Sequence, residues 1–136
     1  MTVKNDSGSI KVILDTNALM VPEQFGVDIF GELLRLGYAH WMVPASVLGE
    51  LRSLARNADK GRDKTAARVA LGLAKSCEEI GEDNFNADMA IEQLAQKMGA
   101  AVFTNDKALK KRLFSKGITV VYLRQGRYLE ATKKEY

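Results

Sequence analysis

The length, composition and charge of the chain are those of a small globular protein. Its 136 residues allow one compact domain with a hydrophobic core, and 46% of them are hydrophobic and 27% charged. These values exclude collagen-like, disulfide-scaffold and wholly disordered chains. No apolar run is long enough to cross a bilayer, no cleavable leader pattern is seen, and Cys77 is the single cysteine. We therefore expect a cytoplasmic protein without membrane contact or an internal disulfide.

The net charge of +3 is unevenly distributed along the chain. Seven basic residues lie between positions 107 and 127, and a second basic cluster runs from Arg52 to Arg68. Basic faces of this kind are compatible with binding of a phosphate backbone. They are also compatible with ordinary solvated helix faces, and the charge pattern alone leaves both interpretations open.

Hydrophobic periodicity predicts alternating strands and helices in one domain. Residues 1–9 are polar and predict a flexible arm before the domain. Strands are predicted over 10–14, 40–44, 100–105 and 118–123. Helices are predicted over 27–37, 45–58, 63–81, 86–99 and 106–117. Residues 125–136 form a basic tail that contains either a short extra strand or a partner-binding arm.

The order of these elements predicts an α/β fold. Near-continuous apolar strands separated by helices are typical of a parallel sheet covered on both faces. We expect a three-layer α/β/α sandwich with a central parallel sheet of four to five strands. In such sheets ligands bind at the carboxyl ends of the strands, where the strand order reverses. Asp15 and Asp106 each follow a predicted strand, so both carboxylates would emerge at one crevice if those strands are neighbours.

Four acidic residues have both a structural and a functional interpretation. Asp15 and Asp106 are each placed to cap the turn or helix after a strand, and Asp106 has Lys110 nearby. Asp88 is placed at the start of a helix, where the macrodipole favours an acid. Glu50 has no cation three or four residues away and lies on the border of the buried stripe of its helix. Taken together, the four acids favour a shared site over four separate structural roles.

A shared carboxylate site favours a hard divalent cation, because clustered negative charges are costly without a counter-charge. Oxygen ligands suit Mg²⁺ or Mn²⁺, whereas His40 and Cys77 cannot build a zinc site. The sequence contains no phosphate-binding loop, no dinucleotide-binding glycine motif and no serine-nucleophile elbow. An acidic metal site beside basic surfaces suits metal-dependent hydrolysis of a phosphodiester.

The four acids stand in motifs that resemble those of the PIN-domain ribonucleases. The motifs are VILDTN with Asp15, VPASVLGEL with Glu50, DMAI with Asp88 and FTND with Asp106. Their order and approximate spacing match the family over about residues 10–124. The segment over 104–129 looks like PIN proteins related to small-subunit ribosomal RNA processing, including archaeal relatives, more than like toxin members.

The resemblance implies a Mg²⁺- or Mn²⁺-dependent endoribonuclease that acts on single-stranded RNA. Asp15, Asp88 and Asp106 would bind the metal directly or through water. Glu50 would position a water molecule or bind a second ion. The residues expected to orient these acids by hydrogen bonds are Asn17, Thr104 and Asn105. The basic residues expected to contact RNA are Arg52, Arg56, Lys107, Lys110, Lys111 and Arg112.

One departure from the family pattern leaves alternatives open. Related proteins often carry Asp-Asp in the third motif, whereas this chain has Ala87 before Asp88. Asp83 is a candidate substitute or helper. One alternative function is a toxin ribonuclease held inactive by an antitoxin. A second, motivated by Ala87, is a catalytically weak PIN module that binds RNA or a ribosome-assembly partner. The family also suggests a homodimer.

Overall fold

The computed structural model describes residues 11–57, 61–82 and 86–132, which form six strands and six helices. The strands are β1 (Lys11–Leu14), β2 (His40–Pro44), β3 (Glu78–Ile80), β4 (Ala101–Phe103), β5 (Val120–Arg124) and β6 (Tyr128–Ala131). The helices are α1 (Thr16–Phe25), α2 (Ile29–Arg35), α3 (Ala45–Asn57), α4 (Gly61–Ala74), α5 (Ala87–Met98) and α6 (Lys107–Ser115). No helix in the described ranges has the length and apolar character needed to cross a bilayer.

All six strands form one mostly parallel sheet in the order β3-β2-β1-β4-β5-β6. Neighbouring strands run parallel except for β6, which is antiparallel to β5. Successive side chains of a strand point to opposite faces, and Val12, Ile13 and Leu14 are all fully buried. Both faces of the central strand are therefore covered, as the three-layer prediction requires. The α/β class is confirmed.

The sheet is wider than the four to five strands that the sequence predicts. The helix expected over 63–81 ends at Ala74, and β3 follows as an edge strand beside β2. The basic tail contains β6, which returns along β5 through a turn with Gly126 at a φ of 67°. The predicted arm over residues 1–9 lies outside the described residues. The domain boundaries at 10 and 124 stay predictions.

The outer edge of β6 is covered by α2. Glu32 Oε1 accepts a hydrogen bond of 2.9 Å from the backbone N of Leu129, and Arg35 Nη2 donates one of 2.7 Å to its carbonyl oxygen. Glu32 and Arg35 also form an ion pair one helical turn apart. The hydrogen bond from Arg35 lowers the pKa of Glu32. These contacts occupy backbone groups that an exposed sheet edge would offer to another chain.

The packing of α2 yields a matched pair of stability predictions. Leu33 is fully buried, whereas its neighbour Leu34 is 54% exposed. We expect Leu33→Ala to lower the free energy of unfolding by about 2–5 kcal/mol, because it leaves a cavity in the core. Leu34→Ala should change it by less than about 0.5 kcal/mol. Urea denaturation followed by circular dichroism measures both values, and equal losses in the two variants would contradict this packing.

Candidate active site

The candidate site lies at the carboxyl ends of β1 and β4, where the strand order of the sheet reverses. The chain leaves β1 towards β2 on one side and later returns to β4 on the other side. Leu14 pairs with Phe103 in the register of these two strands, and the backbone N of Asp15 donates a 3.0 Å hydrogen bond to the Phe103 carbonyl. The two strands are thus neighbours, as the sequence required for Asp15 and Asp106 to meet at one crevice.

Asp15 is buried, being only 4% exposed, and both of its carboxylate oxygens accept hydrogen bonds. Oδ1 accepts from the backbone N of Thr16 at 2.8 Å and thereby caps α1. Oδ2 accepts from Thr104 Oγ1 at 2.6 Å and from Asn17 Nδ2 at 3.3 Å. The capping role considered for Asp15 is therefore present, and the side chain is fixed in orientation at the end of β1.

The polar residues around Asp15 form a network that joins three strands. Asn17 Oδ1 accepts from the backbone N of Asn105 at 2.9 Å, and Asn105 Oδ1 accepts from the backbone N of Leu123 at 2.8 Å. Thr104 Oγ1 accepts from the backbone N of Asp106 at 3.1 Å. Asn17 and Thr104 donate directly to the Asp15 carboxylate, whereas the Asn105 side chain contacts the backbone of β5 and no acid. Their effect on catalysis stays a prediction.

Glu50 reaches the site from α3 through a contact that sequence reasoning missed. The Thr16 hydroxyl donates a hydrogen bond to Glu50 Oε1. Glu50 itself is exposed to solvent. Thr16 lies inside the VILDTN motif, so the motif could have identified it as a candidate site residue. Its partner lies 34 positions away, and no local spacing signals that pairing.

Asp88 lies in the first turn of α5, at a cleft of about 490 Å³. The lining of this cleft includes Glu50, Asp88, Glu92 and Arg112. Ala87, the departure from the family pattern, also lines it, while Asp83 lies outside the described residues. The structure therefore brings Glu50 and Asp88 to one cleft. Asp88 also lies at the start of its helix, as its structural interpretation predicts.

Asp106 caps α6 and at the same time adds charge to the site. Its Oδ1 accepts hydrogen bonds from the backbone N atoms of Ala108 at 2.9 Å and Leu109 at 3.1 Å. Its negative charge raises the pKa of Asp88. The considered ion pair with Lys110 is not formed within the described residues. The Lys110 ammonium lies 3.7 Å from the centroid of the Tyr122 ring instead.

The acids at this crevice influence one another electrostatically. Burial raises the pKa of Asp15 to about 6, although hydrogen bonds from Thr104 and Thr16 oppose the shift. The charges of Asp88 and Glu50 raise that pKa further. Burial also raises the pKa of Asp88, with Arg112 acting in the opposite direction. Within the described part of the chain, no basic side chain contributes to lowering the pKa of Asp15.

The residues of the crevice suit a hard divalent cation in donor chemistry. Within residues 11–57, 61–82 and 86–132, no group of three or more His, Cys, Asp or Glu side chains is gathered to hold a metal by itself. Mg²⁺ requires only one or two carboxylates when waters complete its coordination. The Ser46 hydroxyl, one turn before Glu50 on α3, is buried without a hydrogen-bond partner among the described residues, which suits a bound water.

The basic residues proposed for RNA contact fall into separate groups. Arg52 and Arg56 are exposed on α3, and Lys107 and Lys111 are exposed on α6. Arg112 Nε donates a 2.8 Å hydrogen bond to Glu92. The structure therefore divides these residues between two helices, and their contact with RNA stays a prediction.

Comparison with known proteins gives the same class as the fold and the site. A family model described as a PIN like domain matches residues 12–126. Ribonuclease VapC9 of Archaeoglobus fulgidus is 35% identical over 113 residues, which cover 83% of this chain and 82% of the relative. Ribonuclease VapC4 of Methanocaldococcus jannaschii is 30% identical over 124 residues, which cover 88% of this chain and 95% of the relative.

A solved structure of the PIN domain endonuclease Utp24 superposes with a TM-score of 0.75 at 26% identity, covering 94% of this chain and 95% of that chain. The parallel sheet and its strand-end acids thus define a protein of the PIN type. Because the family model and both relatives span most of the sequence, the chain belongs to the PIN-like domain family. The resemblance drawn from the four motifs is confirmed.

The raised pKa of Asp15 predicts a stability that depends on pH. The pKa is about 6 in the folded state and 3.8 in the reference state, so the folded protein binds more protons between these values. Stability is therefore greatest at low pH for this group and falls as pH rises towards 6. Between pH 4.5 and 7, we expect titration of Asp15 to lower the free energy of unfolding of the wild type by about 2 kcal/mol. Asp15→Asn should not show this decrease. Urea denaturation in EDTA measures this difference, and parallel pH profiles for the two proteins would contradict it.

Proposed function

We propose that this protein is a divalent-metal-dependent endoribonuclease that hydrolyses phosphodiester bonds of single-stranded RNA. The observation that carries the proposal is the buried Asp15, which is fixed by hydrogen bonds and surrounded by the charges of further acids at the switch point of the sheet. The names of the two ribonuclease relatives support RNA as the substrate. The resemblance of the segment over 104–129 favours precursor ribosomal RNA.

In this proposal, different side chains bind the metal and accept the proton. Asp15 would bind the metal through a carboxylate whose orientation Thr104 and Asn17 fix. Asp88 and Asp106 would complete the binding directly or through water. A bound divalent cation would activate the attacking water and stabilise the leaving oxygen. Glu50, which is exposed and accepts a hydrogen bond from the Thr16 hydroxyl, would accept a proton from a water in the cleft.

A toxin ribonuclease paired with an antitoxin is the second candidate function. The two VapC ribonucleases among the relatives favour it. Purification of the protein from its native cells, followed by cleavage assays with any small protein that co-purifies, tests this function. Inhibition of RNA cleavage by a co-purifying small protein would support the toxin interpretation, whereas cleavage that is unaffected by such proteins would favour RNA processing.

Removal of the Asp15 charge should abolish cleavage. We expect cleavage of a labelled single-stranded RNA with Mn²⁺ or Mg²⁺ and none with EDTA. Asp15→Asn should reduce the rate by at least about 100-fold, because metal catalysis contributes several kcal/mol to lowering the barrier. Asp28→Asn is the matched control: Asp28 caps α2 away from the site, and Asn caps helices equally well. Cleavage that persists in EDTA would contradict the proposal. RNA binding without cleavage in any divalent ion would favour the weak binding module instead.

Binding of Mn²⁺ should stabilise the fold through the same carboxylates. At a concentration of about 100 times the dissociation constant, a ligand of the folded state adds about 2.7 kcal/mol to the free energy of unfolding. We expect Mn²⁺ to raise the melting temperature of the wild type relative to EDTA. Asp15→Asn should lose most of this increase. Asp63→Asn on α4 serves as the charge-matched control. Equal increases in all three proteins would contradict metal binding at Asp15.

A further inference from the structure

Helix α6 carries a second ordered face besides the one that packs on the sheet. Leu109 and Leu113 are buried in the core. Lys107, Lys110, Lys111 and Phe114 follow the spacing i, i+3, i+4, i+7, which places them on one side of a helix. We call these four residues the lysine face.

Two clefts meet at the lysine face. One, of about 330 Å³, is lined by all four residues of the face and by Thr132. The other, of about 310 Å³, is lined by Lys107 and Lys110 together with residues of the β5–β6 hairpin and α1. Because the two clefts share Lys107 and Lys110, they adjoin each other along α6, and we call the two clefts together the track.

Aromatic side chains lie along this track. Phe25 and Phe114 are 52% and 46% exposed, which is unusual for phenylalanine. Phe25 lies over the hairpin turn, where a Cβ on Gly126 would be 3.5 Å from its ring. Tyr122 lies beneath the Lys110 ammonium. Exposed rings beside cations are what single-stranded nucleic acid requires, since bases stack on aromatic faces while phosphates contact lysine.

The track continues to the candidate active site. Asn105 lines the second cleft, and its backbone N donates to Asn17, which in turn donates to Asp15. Lys107 directly follows Asp106 in the chain. The second cleft therefore reaches a residue of the hydrogen-bond network that holds Asp15.

The lysines of this face are available to an anionic ligand. In the described residues, no ion pair involves Lys107, Lys110 or Lys111. By contrast, Arg112 and Lys116 on the same helix both pair with Glu92. The described ion pairs on α6 therefore neutralise Arg112 and Lys116 but leave the lysine face charged.

We propose that the lysine face, with Phe25 and Tyr122, is the surface along which single-stranded RNA is held beside the acidic crevice. Lys107, Lys110 and Lys111 contact phosphates, and the rings of Phe25 and Phe114 stack on bases. The proposal rests on the ribonuclease function for the identity of its ligand. It selects α6 over the exposed Arg52 and Arg56 of α3 as the principal RNA-binding element.

The test measures RNA binding separately from cleavage. The anisotropy of a fluorescein-labelled short oligouridine is titrated with protein in EDTA, between about 50 and 200 mM salt. We expect Lys107→Gln/Lys111→Gln to raise the dissociation constant ~10-fold at the low-salt end and to reduce the salt slope by about 1.4, because two phosphate contacts are lost. The exposed pair Lys75→Gln/Lys97→Gln, outside the track, is the matched control and should bind like the wild type.

The aromatic part has its own variant and control. Phe25→Ala/Phe114→Ala should raise the dissociation constant at least about fivefold with an unchanged salt slope, since stacking is lost and no charge is removed. Leu34→Ala, another exposed apolar residue, should have no effect. In cleavage assays with Mn²⁺, both double variants should raise KM while kcat is retained.

The outcomes separate this inference from the proposed function. If the wild type cleaves RNA and both double variants bind RNA as tightly as their controls, RNA binding by the lysine face is wrong and the nuclease function stands. The lysine face would then bind another partner, such as an acidic protein. If the wild type binds RNA through this face and cleaves it in no divalent ion, the inference stands and the nuclease function fails. Absence of RNA binding by the wild type would overturn both.

Discussion

The burial of one carboxylate at the switch point of the sheet is the constraint on which the rest of the site depends. A carboxylate at the depth of Asp15 must be hydrogen-bonded, protonated or opposed by a cation. Hydrogen bonds from Thr104 and Thr16 offset only part of the cost of burial, since the pKa still rises to about 6. At neutral pH the fold therefore maintains an acid whose ionised form is destabilised. A bound cation would relieve that cost, so metal binding at this residue would be coupled to stability.

Much of the fold follows from side-chain patterns, and the parts that do not are set by backbone contacts. The strands β1, β2, β4 and β5 were predicted because they are buried and apolar. The strand β3 has two exposed glutamates and is held by pairing with β2, so its side chains give no periodic signal. Helix α1 was missed because Pro22 stands inside it, and proline normally argues against a helix interior.

Local sequence predicts one part of the candidate site, and helix packing determines the other part. The positions of Asp15 and Asp106 were predictable because both residues follow strands, and parallel strands end at the same edge of a sheet. The orienting residues Asn17 and Thr104 were predictable because they adjoin those acids. The hydrogen bond from Thr16 to Glu50 joins α1 to α3 and depends on how the helices pack, which local spacing in one sequence does not encode.

The juxtaposition of acids and lysines through α6 would allow a weakly basic protein to hold a polyanion next to the acids of the crevice. At physiological salt, charges act over about 8–10 Å, so the net charge of +3 has little influence on a ligand at the crevice. Only basic residues adjoining the acids can compensate for their repulsion of phosphate. Asp106 caps α6, and Lys107, the first residue of the lysine face, follows it in the chain. The residue that adds negative charge to the site therefore also fixes the helix that carries the compensating positive charge. A metal ion bound in the crevice would act in the same direction, so the proposed attraction of RNA and the proposed binding of metal would reinforce each other.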